Sequence, residues 1–158
     1  MKGEIFLGID PGTNRIGFGA ISKKNNALTC LKYGVIEIGA LAAGKRLLIL
    51  EKKLAGLFKE IQPDVVGVEK LFFSKNQKTA MSVAEARGVI LLAAEKAGIP
   101  VREFSPTTVK QRICGYGAAD KKGVIKLIQL FLGIEKFDSL DDAADALAIA
   151  IVTGTETG

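Results

Sequence analysis

The sequence contains no histidine, and that single absence removes whole classes of chemistry. Without an imidazole there is no histidine general base, so the mechanisms of serine proteases and of pancreatic-type ribonucleases are closed to it. Any bound metal must be held by oxygen, which favours hard ions such as magnesium or manganese over zinc. Cysteine is almost as scarce. Cys30 and Cys114 are the only two and stand far apart, so they make neither a disulfide framework nor a zinc-ligand cluster. They read as reduced, partly buried thiols of a cytoplasmic protein. No apolar run approaches the ~18 residues of a membrane span, and the longest, Ala146 to Val152, follows two acids. The short apolar stretch ending in Asp10 reads as a buried strand rather than a signal peptide.

What is present is an ordinary globular composition. Of 158 residues, 48% are hydrophobic and 25% charged, enough to bury a continuous core. No repeat, low-complexity tract or linker interrupts the chain, so residues 1–158 are expected to form one domain. The net charge of +5, from 22 basic against 17 acidic residues, permits a polyanionic partner without requiring one.

Residues 4–10 read as a central strand closing on a carboxylate, after which Asp10-Pro11-Gly12 turns sharply. Residues 15–22 and 27–38 alternate loosely around a polar hairpin turn, Lys23-Lys24-Asn25-Asn26. Leu47, Leu50, Leu54, Leu57, Phe58 and Ile61 then recur at helical spacing, and the helix ends before Pro63. Asp64 to Glu69 is a short apolar strand that again ends in an acid. A loop over 70–78 leads to an alanine-rich helix over 79–97. A strand follows at Val101 to Phe104, and Ser105-Pro106 opens another helix with a serine cap and proline in its first turn. Val124, Leu127, Ile128 and Phe131 form the next apolar stripe, with Lys121, Lys122 and Lys126 away from it. The last helix runs from about Leu140 to Val152. Three antiparallel strands and then alternating helix and strand predict an α/β fold. Its mixed five-stranded sheet carries three antiparallel and then two parallel strands, with helices on both faces. Sites in such sheets lie beyond the carboxyl ends of strands.

Four acids occupy that kind of position. Asp10 and Glu69 each close an apolar strand, so adjacent parallel strands would bring both to one edge. Asp142 and Asp145 stand three apart at the start of the last helix and share a face. Ala143 and Ala144 between them are small, which lets the helix approach the sheet closely. Carboxylates gathered in a half-buried place repel one another, and desolvation adds to the cost. Two divalent ions ~3.5–4 Å apart relieve both and can support in-line hydrolysis of a phosphodiester. The expected products carry a 3′-hydroxyl and a 5′-phosphate. Each acid also has an ordinary reading: Ser139 and Asp142 as a capping box, Asp10 as a turn former, Glu69 as a solvated strand end. Four such coincidences are harder to accept than one.

The same residues resemble the RuvC family of bacterial Holliday-junction resolvases, within the RNase H-like superfamily. Gly8-Ile9-Asp10-Pro11-Gly12, continuing to Gly17-Phe18-Gly19, is similar to that family's first motif. Val68-Glu69-Lys70-Leu71-Phe72, with Lys75-Asn76 and Ala86-Arg87-Gly88, is similar to its second. Val109-Lys110-Gln111 with Gly115-Tyr116-Gly117, and Asp142-Ala143-Ala144-Asp145-Ala146-Leu147-Ala148, are similar to the third and fourth. The resemblance implies an RNase H-like fold and a homodimeric, magnesium-dependent endonuclease that cuts two strands of a four-way junction symmetrically. It implies two Mg2+ per site, with Mn2+ as a substitute, and a possible RuvA–RuvB branch-migration partner. The family's metal-binding acids fall on Asp10, Glu69, Asp142 and Asp145. Some members carry histidine where this chain has Asp142, so the set here is all carboxylate. Phe72 matches an aromatic that stacks on a base near the crossover. Lys110 and Lys121 match basic residues near the scissile phosphate, and Lys122 adjoins the second. Phe72-Phe73 with Lys75, Asn76 and Lys78 beside them suit a stacking wedge next to a phosphate contact. The family match also leads one to look for a dimer face on the alanine-rich helix around Gly88.

Three rivals remain open from sequence. The YqgF group shares the Arg15-Ile16-Gly17 pattern but not the Phe-Phe loop or the DAAD helix. An actin-like ATPase needs two lobes, and Gly12 to Gly17 lacks the Lys-Ser/Thr of a phosphate loop. A non-catalytic DNA-binding module would have to tolerate four acids at its DNA face.

Overall fold

The computed structural model describes residues 2–71, 77–115, 120–136 and 141–156. Strands β1 (Glu4–Asp10), β2 (Arg15–Lys24) and β3 (Ala27–Glu37) form an antiparallel meander. Asn25 and Asn26, with φ of 50° and 65°, make its second turn; asparagine tolerates this left-handed backbone better than most side chains. Helix α1 (Ala43–Ile61) crosses to β4 (Val65–Glu69), which lies parallel to β1. Helix α2 (Gln77–Lys96) then leads to β5 (Val101–Phe104), parallel to β4. The sheet order is β3-β2-β1-β4-β5, the expected mixed sheet. Three helices complete the described residues: α3 (Pro106–Cys114), α4 (Lys121–Leu132) and α5 (Asp141–Thr155).

Side chains alternate across a strand, and the two faces bury separate cores. On one face Leu7, Ile9, Val66 and Val68 pack with Leu50 and Leu54 of α1 and Ile90 of α2. On the other, Phe6, Val65 and Phe104 pack with Ile128 of α4 and with Leu147 and Ile151 of α5. Helices therefore cover both faces, and α5 is buried nearly all round.

What lets α5 lie so close is a floor of glycine. Gly8 and Gly19 are paired across β1 and β2, and Gly67 stands level with Gly8 on β4. A methyl group on Gly8 would overlap the carbonyl oxygen of Ala146. One on Gly17 would overlap that of Asp142, and one on Gly67 the hydroxyl of Thr153. Glycines below and alanines above thus bring helix backbone onto sheet backbone. The buried Thr153 hydroxyl donates to the Ile149 carbonyl at 2.6 Å, so the contact strands no polar group there.

Several boundaries differ from the sequence reading for local reasons. Asp64 is an anchor ahead of β4: its carboxylate accepts from the Ile5 N–H at 2.7 Å. Helix α5 continues to Thr155, whose hydroxyl returns to the Ile151 carbonyl. The α4 stripe is Val124, Ile128 and Leu132, while Phe131 is 42% exposed. The four-residue spacing of that stripe puts Phe131 off its axis. Ser105 caps α3 as expected, accepting from Thr108 N–H at 3.0 Å, with Pro106 in the first turn. Ser139 lies outside the described residues.

Overpacking a filled contact costs about 1–3 kcal/mol or more, and Gly8→Ala should lower the melting temperature by several degrees. Gly56→Ala, inside α1 with nothing near the added carbon, should leave it unchanged or raise it, since alanine favours helix by about 1 kcal/mol. Thermal melts of both variants check this; equal effects would deny the tight floor.

Candidate active site

Asp10 and Glu69 end adjacent parallel strands that are in register through Ile9 and Val68. Both project to the α5 side, in step with Gly8 and Gly67. Their carboxyl groups are hydrogen-bonded to each other. Across β2, Asp10 is level with Gly17, and the Asp142 backbone sits on Gly17. The helix end that carries Asp142 and Asp145 is therefore delivered beside the strand ends that carry the other two acids.

The crowding is visible in the protonation of Asp10. Burial chiefly, then the charge and hydrogen bond of Glu69, then the charges of Asp145 and Asp142, push its carboxyl from 3.8 up to about 9. Asp145 is also raised, first by burial. The Lys121 ammonium, 3.6 Å from it, works in the opposite direction, while Glu69 and Asp142 add to the rise. The acids are thus close enough to feel one another strongly. Among the described residues no group of three or more acidic or cysteine side chains is arranged to grip one metal ion. The carboxylates are coupled through their fields without closing on a common point. Their chemistry fits a hard divalent cation: every donor is oxygen, and a proton occupies a place where positive charge is missing.

A cleft of about 590 Å³ opens beside these groups at the carboxyl edge of β4 and β5, and Asp10 and Asp142 lie outside its lining. Glu69 and Asp145 line it, with Lys70, Arg87, Lys110 and Lys121 around them. The cleft draws on both layers of the fold, α2 on one side and α3, α4 and α5 on the other. Of the lysines anticipated from sequence, Lys110 and Lys121 are brought to the acids. Lys122 is exposed and outside the lining, and so is Lys78 in the first turn of α2. Phe72, Phe73, Lys75 and Asn76 lie outside the described residues. Lys70 and Arg87 were not anticipated as cleft residues. Lys70 directly follows an acid at a strand end, a signal available in the sequence. Arg87 belongs to the second RuvC-like block, where the resemblance implies no role for it. Cys30 and Cys114 are free and half-buried, away from this cleft.

Residues 6–153 match the family model of the crossover junction endodeoxyribonuclease RuvC. A protein of that name from Petrotoga mobilis is 46% identical over 151 residues, covering 95% of this chain and 93% of its relative. One from Thermosipho melanesiensis is 45% identical over 152 residues, covering 96% and 97%. Among solved structures, the fold is similar to Thermus thermophilus RuvC in complex with Holliday junction substrate. There the TM-score is 0.88 at 31% identity, covering 96% of this chain and 93% of that one.

The protonation of Asp10 sets how metal-free stability depends on pH. The folded state holds this proton up to about pH 9, whereas a carboxyl with its ordinary value of 3.8 releases it. Between those values the folded state binds more protons, so stability falls as pH rises from about 4 to about 9. Asp10→Asn removes the linkage. In chelator at pH 8 it should melt several degrees above the parent, at ~2–4 °C per kcal/mol, and the gap should close towards pH 4. Melting curves across pH that run parallel for the two proteins would contradict the assignment.

Proposed function

Because the chain belongs to the RuvC family of crossover junction endodeoxyribonucleases, we propose that it resolves four-way DNA junctions by paired, symmetric nicks. The observation that carries this reading is the coupling of Asp10 and Glu69, from two strand ends, to the acidic end of α5, with Glu69 and Asp145 lining a cleft rimmed by cations. Asp10, Glu69, Asp142 and Asp145 would hold the metal. Two divalent ions bound there, magnesium with manganese as a substitute, supply the activation of water and the neutralisation of the leaving oxygen. Asp10 and Glu69, on rigid strands, fix one side of that site, and α5 brings the other. With its carboxyl raised, Asp10 would have to give up a proton to hold a metal, which would tie metal affinity to pH. Lys121, beside Asp145, and Lys110 sit where a phosphodiester would enter, and each can accept its charge. The products would be a 3′-hydroxyl and a 5′-phosphate.

The finer assignments rest on the family and on placement. Phe72 would stack on a base near the crossover, with Phe73, Lys75 and Asn76 next to it. Paired cuts in a two-fold symmetric junction call for a symmetric dimer. On α2, Met81 is 71% and Leu92 57% exposed, and Gly88 has open space above it on the same stripe. Such an apolar helix face suits a second copy. No helix among the described residues is long and apolar enough to cross a membrane. We place the enzyme in the cytoplasm, working with a RuvA–RuvB branch-migration complex.

A synthetic four-way junction, a linear duplex and an RNA–DNA hybrid, each with and without magnesium, test the reading. Symmetric paired nicks in the junction alone, and only with metal, are expected. Asp10→Asn, Glu69→Gln and Asp145→Asn should each abolish cutting and leave junction binding largely intact. Cutting retained in any two of them, or cleavage of the hybrid, would overturn it.

A further inference from the structure

We infer that Arg87, held by Glu103, is a backbone-phosphate contact on the wall of the cleft opposite Lys110 and Lys121. The inference rests on the nuclease reading and goes beyond its acids and lysines. Arg87 projects from α2 and pairs with the Glu103 carboxylate on β5. Glu103 is in register with Val68, the residue before Glu69, so this pair is tied to the strand end that bears one of the acids. Arg87 also lines the cleft, and its side chain keeps 23% of its surface exposed.

Internal satisfaction does not account for this placement. The Arg87 Nε is sealed from solvent with no hydrogen-bond partner among the described residues. A guanidinium carries five N–H donors, and Glu103 takes only part of that capacity. Among the described residues Arg87 leaves a donor unused, and it lines the cleft with part of its side chain exposed.

The charge balance of the cleft gives that arrangement a use. Its floor holds Glu69 and Asp145, which repel a polyanion, and Lys121 is already engaged with Asp145. Lys110 and Lys121 both come from the layer of α3 and α4. From α2 the lining takes only Val83 and Arg87, and of these only Arg87 can bond a phosphate. A strand lying across the acids is then gripped from both layers, with Glu103 keeping the guanidinium from swinging onto the acids.

Junction binding by the full chain in chelator, where no strand is cut, tests this through its salt dependence. Each lost phosphate contact lowers the slope of log affinity against log salt by about 0.7–0.9. Arg87→Gln should show that loss and weaker binding, and Arg87→Lys should restore the slope. Glu103→Gln leaves the cation in place and should bind at least as tightly as the parent. An unchanged slope in Arg87→Gln overturns the inference, whatever its melting temperature. So does Glu103→Gln weakening binding as much as Arg87→Gln, which would mark the pair as a structural tie. Should Arg87→Gln not fold, Glu103→Gln decides alone: binding at least as tight as the parent's supports the inference, and weaker binding overturns it. A parent that cuts junctions while Arg87→Gln binds like it defeats this inference only; a parent that neither binds nor cuts them defeats the function beneath it.

Discussion

The structure depends on one approach: helix backbone laid directly on sheet backbone where Gly8, Gly17 and Gly67 leave no side chain in the way. The distance from sheet to helix is normally set by the side chains between them. Removing those chains under α5, and keeping Ala146 and Ala150 small above, lets the acidic end of the helix drop to the level of the strand ends. A larger residue anywhere in that floor would lift Asp142 and Asp145 away from Asp10 and Glu69. Packing and chemistry therefore share a cause.

The cost of this arrangement is electrostatic. Four carboxylates lie within one another's fields where water is partly excluded, and Asp10 answers by holding its proton up to about pH 9. Lys121 relieves Asp145, but a half-exposed ammonium at 3.6 Å cannot neutralise the group. The resting site is short of positive charge. Divalent cations would supply it, and a phosphodiester drawn by the surrounding basic residues would meet them there. The folded protein thus carries strain of charge that a bound divalent cation would relieve, and an affinity for metal there would have a physical origin independent of any resemblance.

Much of this was legible in the residues. Strands that end in acids, a hairpin marked by Asn25-Asn26, a serine–proline helix start and the DAAD spacing each report a local constraint, and each appears where expected. The adjacency of Asp10 and Glu69 followed from two apolar strands of parallel sense. Helix phase was harder to read: the spacing of Val124, Leu127 and Ile128 put Phe131 in the apolar stripe, yet Leu132 takes the buried position. Other contacts between distant segments were not readable. Nothing local says that Gly67 lies under Thr153, or that Arg87 meets Glu103, because those facts belong to the sheet order β3-β2-β1-β4-β5 and not to any one stretch. Lys121 and Lys122 were equivalent in sequence, and the helix phase of α4 separates them.

In this reading α5 and the two strand ends form a single metal-binding centre. Anomalous diffraction from crystals equilibrated with manganese addresses it directly. The account predicts manganese density bounded by Asp10 and Glu69 on one side and by Asp142 and Asp145 on the other. Manganese found only elsewhere on the protein, or absent from that position at saturating concentration, would contradict it.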